Sequence, residues 1–125
     1  GLLGISGVSS DSRDIEDGIS NGDERCILAQ KMYVKRIVDF IAKYYVELGG
    51  CDAIIFTAGV GENSISTRME VMEKLACLGV KPDEERNNVR GKEALISADN
   101  SKIPVYVIPT NEELMIATDT YNLAK

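Results

Sequence analysis

Apolar residues fall into two kinds of run along the chain. Ala29, Tyr33, Ile37, Phe40, Ile41, Tyr44 and Leu48 recur three or four positions apart, the period of one helical face. Asp23 precedes this stretch as a cap and Gly49-Gly50 follows it, which predicts a helix from Asp23 to about Leu48. Lys31, Lys35, Lys43 and Glu47 lie largely off the stripe, so this helix serves packing rather than chemistry. The second kind of run is short and continuous. Ala53 to Phe56 has the pattern of a fully buried strand, and Pro104 to Ile108 repeats it before Pro109 stops it.

Each strand leads into a helix. After Phe56 comes a small-residue turn with Gly59 and Gly61, then a helix from about Ser66 to Leu78. Ile65, Met69, Met72 and Leu75 line one side of it and Gly79 ends it. After Pro109, Thr110 and Glu113 have the spacing of a T-x-x-E capping box. The helix behind it carries Leu114, Ala117 and Tyr121 and runs nearly to Lys125. Strand–helix–strand–helix order predicts an α/β layer with at least two parallel strands. Leu95-Ile96-Ser97 reads as a further short strand, and Val80 to Asn88 as a charged connection. Toward the N-terminus, Gly4 and Gly7 break any regular element in Gly1 to Ser10. A polar turn, Ser9 to Asp14, then feeds an acidic segment from Ile15 to Ile19, and Asn21-Gly22-Asp23 is a second break.

The strand-to-helix turn is the first place where chemistry enters. Glycines at 59 and 61 let the backbone reach positive φ and let a ligand approach without meeting a Cβ. The free N–H groups of a helix start suit an anion. A phosphate seat and a plain turn both fit these residues. Asn63 has the chemistry to bond a nucleotide or to cap a helix. Glu112, at a helix start beside a strand end, suits Mg²⁺ or simply the helix dipole. Asp11 and Arg13 either face a ligand or make a capped surface turn. A dinucleotide fingerprint is weak here, because Ser64 stands where Gly or Ala is wanted, and a G-x-x-x-x-G-K-[ST] loop is absent. In parallel sheets ligands sit at the carboxyl ends of strands, which is where Gly59 and Glu112 are both expected.

Composition narrows the classes. The formal charge is −6 with no basic run, which argues against nucleic acid or an anionic membrane surface as partner. No apolar run approaches a transmembrane length. Three widely spaced cysteines without a CxxC pair read as cytoplasmic thiols serving as small hydrophobes. Histidine is absent, which excludes a Ser-His-Asp triad within these residues. Gly1 to Gly7 begins without methionine and reads like the interior of something longer, so a piece of a larger protein is expected.

Three long motifs carry a resemblance. Phe56 to Ser64 (FTAGVGENS), Val107 to Ala117 (VIPTNEELMIA) and Gly1 to Asp14 (GLLGISGVSSDSRD) closely resemble acetate kinase, in that family's order and spacing. Arg86-Asn87-Asn88 and Arg90-Gly91 fit the link between them. The resemblance implies the C-terminal, nucleotide-side domain of such an enzyme, with residues 1–125 forming part of a ribonuclease-H-like (actin-like ATPase) α/β domain, strand-turn-helix units on a mixed sheet. It implies phosphoryl transfer between ATP and acetate with Mg²⁺, giving acetyl phosphate and ADP. Asp11, Ser12 and Arg13 match the adenosine-side loop, and Gly59, Val60, Gly61, Glu62 and Asn63 the loop against the nucleotide. Glu112 matches the carboxylate tied to Mg²⁺ and catalysis. Ser12 departs from the pattern, since the family usually carries a larger apolar residue there. The groups that bind acetate would lie upstream of Gly1, so the 125 residues alone are expected to bind nucleotide weakly and not to turn over. A cytoplasmic homodimer joined through this domain is also implied. Kinases of propionate or butyrate, and a non-catalytic nucleotide-binding module, are the alternatives.

Overall fold

The computed structural model describes residues 1–125, a mixed α/β arrangement with a small three-stranded sheet. The long helix α3, Glu24–Leu48, forms as expected. Asp23 Oδ1 accepts from the backbone N–H groups of Arg25 and Cys26 at 2.9 Å each, and Gly49 ends the helix at φ 71°. Its buried face, however, is rotated from the expected stripe. Cys26, Ala29, Gln30 and Val34 are buried, and Ile37, Val38, Ile41 and Tyr45 pack partly against the core. Phe40, Tyr44 and Leu48 face outward instead, with Arg36 over the Phe40 ring at 5.4 Å. A seven-position stripe drifts around a 25-residue helix, so packing at the N-terminal half selects the true face.

Strand β1, Ile54–Phe56, pairs in parallel with β3, Val105–Val107, and β2, Ala94–Leu95, pairs antiparallel on the other side of β3. Phe56 opposes Val107 at the shared carboxyl edge. One face of this sheet meets α3 and α5 (Ile65–Lys74), where Phe56, Val105, Val107, Val71, Met72 and Leu75 form the core. Each such side chain contributes about 1.5–3 kcal/mol by leaving water. The opposite face is open. Ile55, in the strand predicted to be fully buried, is 54% exposed because only one side of the sheet is covered.

Two helices precede α3. Leu2–Ser6 forms a five-residue helix, α1, where glycines were expected to prevent one. Packing against α3 and the Arg25 Nε bond to the Ile5 carbonyl at 3.0 Å override the weak propensity. Helix α2, Ser12–Ser20, is capped by Asp11. Gly18 allows its close approach to α3, since a Cβ there would lie 2.5 Å from Cys26 Sγ. Helix α5 ends in a 3-10 turn, Ala76–Leu78, and α6, Glu84–Asn87, occupies the charged connection. No helix is long and apolar enough to cross a membrane, and all three cysteines are free.

Candidate functional site

Because β1 and β3 end level with one another, the segments that follow them emerge side by side. After β1 the backbone turns at Ala58, φ 58°, straight into the six-residue helix α4, Ala58–Asn63. This corrects the expected glycine turn. Neither Gly59 nor Gly61 has positive φ; both lie inside α4, and the left-handed residue is an alanine. Such a conformation costs roughly 1–2 kcal/mol outside glycine, so the surrounding packing holds it. Gly61 lies close against the end of β1, where a Cβ would sit 3.4 Å from the Phe56 carbonyl carbon. Gly59 alone offers what the sequence promised, an open approach with no atom within 4 Å of an added Cβ.

After β3 comes α7, Glu112–Leu123, whose N-cap is Asn111 and not Thr110. The Asn111 side chain accepts from the Leu114 N–H at 3.1 Å. Thr110 is drawn elsewhere: its N–H and its hydroxyl both donate to Glu62 Oε1, at 2.9 and 3.1 Å. These donors, the N–H first, pull the Glu62 pKa below its ordinary value. Glu62 is thus a tie between the two strand exits. Glu112 is exposed and free of protein hydrogen bonds, and with Ala58, Gly59, Glu62, Thr110, Asn111 and Glu113 it lines a shallow cleft of about 330 Å³.

A second cleft, of about 380 Å³, begins on the other side of Gly59. Ser12, Arg13 and Glu16 of α2 face Val60, Asn63 and Ser64 across it, with Arg90 at one end. The structure therefore brings the Asp11–Arg13 segment and α4 to one place. Asp11, beside the cleft's Ser12 but not among its lining residues, holds Arg13 through both carboxylate oxygens, Nε to Oδ1 at 3.1 Å and Nη2 to Oδ2 at 2.6 Å. The Arg13 side chain and then its backbone N–H lower the Asp11 pKa to about 2. Beyond Glu16 and Arg90 lies a third, wider cleft of about 970 Å³, with Ile19, Ile65 and Met69 as its apolar wall.

Three residues to which sequence reasoning assigned no role in the site hold this arrangement. Arg68 is fully buried on α5. Its guanidinium donates to the carbonyls of Gly61, Glu62, Asn87 and Val89 and to Asn87 Oδ1, all within 3.0 Å. It thereby caps the carboxyl end of α4 and fastens it to the Asn87–Val89 segment. Burial, and secondarily the charge of Arg90, lower its pKa. The signal was present, since Arg68 stands in register with Val71, Met72 and Leu75 on an apolar face. Arg90 Nη1 donates to the Asn63 carbonyl at 2.6 Å, and no carboxylate lies within ion-pair distance of it. Glu16 Oε1 accepts from the hydroxyls of Ser64 at 2.7 Å and Ser66 at 3.1 Å.

Gly59→Ala separates a ligand role from a folding role. The added methyl meets no protein atom and favours the helix by up to about 1 kcal/mol. The melting temperature is therefore expected to hold or rise slightly; where nucleotide lies against Gly59, as the resemblance implies, the Kd for Mg-ADP by calorimetry should weaken about tenfold. Unchanged affinity would detach Gly59 from the ligand.

The chain is similar to well-described proteins over nearly all its length. A family model described as the acetokinase family matches residues 1–118. Acetate kinase of Phocaeicola vulgatus is 58% identical over 120 residues, covering 96% of this chain and 30% of that protein. The crystal structure of Porphyromonas gingivalis acetate kinase superposes with a TM-score of 0.89 at 48% identity, covering 100% of this chain and 32% of the other. A propionate kinase from Francisella tularensis does so with 0.84 at 39% identity, covering 94% and 29%. The chain thus spans about a third of the length of the relatives it matches. Matched by the family model from Gly1 to Thr118 and superposing on a family structure along its whole length, the chain belongs to the acetokinase family.

Proposed function

We propose that these residues are the C-terminal, nucleotide-side domain of an acetate kinase, a ribonuclease-H-like unit that supplies the nucleotide half of an enzyme moving a phosphoryl group between ATP and acetate. The observation that carries the proposal is the convergence at the two strand exits, where Gly59 and Glu112 open on one cleft and the Ser12–Arg13 segment lies just beyond Gly59. Asp11, Ser12 and Arg13 take the adenosine side. Gly59, Val60, Gly61 and Asn63 form the loop against the adenosine and phosphates, with Glu62 holding that loop to Thr110.

The donor set suits Mg²⁺ in one way only. No group of three or more His, Cys, Asp or Glu side chains stands ready to cage an ion. Mg²⁺ beside a nucleotide, however, keeps several waters and takes one or two carboxylates plus phosphate oxygens, and the unpaired Glu112 fits that role. When bound, the ion neutralises charge on the transferring group. Acyl recognition is assigned to the length of the relatives that this chain does not span. A homodimer belongs to the same reading, supported by the exposed Phe40, Tyr44 and Leu48 on α3, as does a cytoplasmic setting.

Likeness to the Francisella propionate kinase supports a second reading, transfer to propionate. The test runs the protein expressed from its whole gene with Mg-ATP and acetate, propionate or butyrate, trapping acyl phosphate as the hydroxamate. Acetyl hydroxamate is the expected product. No product from any acid, with Mg-ADP still bound, would leave a non-catalytic nucleotide module.

A further inference from the structure

The three clefts lie in sequence along the surface, each sharing lining residues with the next. Gly59 borders both the Glu112 cleft and the Ser12 cleft. Glu16 and Arg90 border both the Ser12 cleft and the wide third cleft. A ligand whose phosphates lie at Gly59 and Glu112 would next meet the polar middle cleft, where Val60 is the sole apolar lining residue. That lining suits a sugar better than a base, which needs apolar or aromatic faces. The wide cleft supplies Ile19, Ile65 and Met69 for a base.

At the junction of the last two clefts stands Glu16. Ser64 and Ser66 hold its Oε1, so the carboxylate is fixed in place, and no protein donor reaches Oε2. An ionised carboxylate only accepts hydrogen bonds, and a carboxylate at a nucleotide cleft commonly takes ribose hydroxyls. We propose that Glu16 is the ribose-reading residue of this site, accepting from the 2′- or 3′-hydroxyl of the bound nucleotide and selecting ribonucleotides over deoxynucleotides. Arg90, in the loop after α6 and held on the Asn63 carbonyl without an acidic partner, borders the same junction.

This inference rests on the nucleotide reading above and deepens it. Its test uses the protein from its whole gene, comparing kcat/KM for ATP, 2′-deoxy-ATP and 3′-deoxy-ATP with Mg²⁺. The native protein is expected to favour ATP over at least one deoxy analogue by tenfold or more. Glu16→Ala should bring that ratio to within about twofold of unity, by raising the KM for ATP while the disfavoured analogue keeps its own. Glu16→Gln, which retains an acceptor for Ser64 and Ser66, should give an intermediate ratio and serves if the alanine variant does not fold. A merely structural Glu16, tying α2 to α5, would weaken ATP and both analogues by one common factor, and that result overturns the proposal. Native protein that handles ATP and both analogues equally overturns it as well. Native protein inert toward every nucleotide would sink the nucleotide reading itself, and this inference with it.

Discussion

Replacing Arg68 by methionine is expected to lower the unfolding free energy by about 3–5 kcal/mol, the range for breaking a buried polar network. Methionine fills much of the same volume, so the cost is not chiefly a cavity. It arises from what the guanidinium leaves behind. Four backbone carbonyls and the Asn87 side-chain oxygen lose their donor together, and an unsatisfied buried acceptor costs about 1–3 kcal/mol. The Glu62 and Asn87 carbonyls each keep one other partner, the N–H groups of Gly91 at 3.1 Å and Val89 at 2.8 Å, and water reaching the freed groups trims the total further. Arg68→Lys should fall between, since an ammonium carries three donors but not a planar fork. Denaturant unfolding of the two variants against the native protein measures both. A loss under about 1 kcal/mol for the methionine variant would mean that α4 is held by something else.

Glu112→Gln is expected to do the reverse: it should leave the fold alone and, on the reading that Glu112 holds Mg²⁺, slow phosphoryl transfer by the protein expressed from its whole gene. The side chain is exposed and makes no protein hydrogen bond, so the stability change should stay within the 0.3–1 kcal/mol of an acidic residue at a helix start. If Glu112 holds Mg²⁺ beside the phosphates, the neutral amide withdraws a charge where the ion must sit. A loss of about a hundredfold or more in kcat follows, by analogy with other electrostatic partners of a reacting group. Activity measured against Mg²⁺ concentration is the check, with half-saturation moving to higher Mg²⁺. A variant with native kcat and native Mg²⁺ dependence would remove Glu112 from the metal.

The contrast between these residues marks what sequence could reveal. The position of Glu112 at a helix start just past a strand was legible from the order of the apolar run and the capping residues. Parallel pairing of β1 and β3, and the caps of α3 at Asp23 and Gly49, were legible because period and turn chemistry are local properties. Arg68 was missed because arginine is read as a surface residue, although its register with Val71 and Leu75 placed it inside. Helix α4 was missed because two glycines suggest a turn, and only the fixed ends of β1 and α5 show why the chain coils there. Thr110 was assigned to its own helix by spacing, yet Glu62, 48 positions earlier, claims it. No local rule contains that bond. The outward turn of Phe40 and Tyr44 likewise depends on which half of α3 meets the sheet.

The Glu62–Thr110 bond also has a mechanical consequence. Helix α7 has no buried residue, and at its root Thr110 is latched to the last turn of α4. Twelve residues make an arm roughly 18 Å long, so a swing of about 10° at the latch carries its tip some ~3 Å. Glu112 sits at the pivot and would scarcely travel. The Glu112 carboxylate is thus decoupled from wherever the far end of the helix is carried.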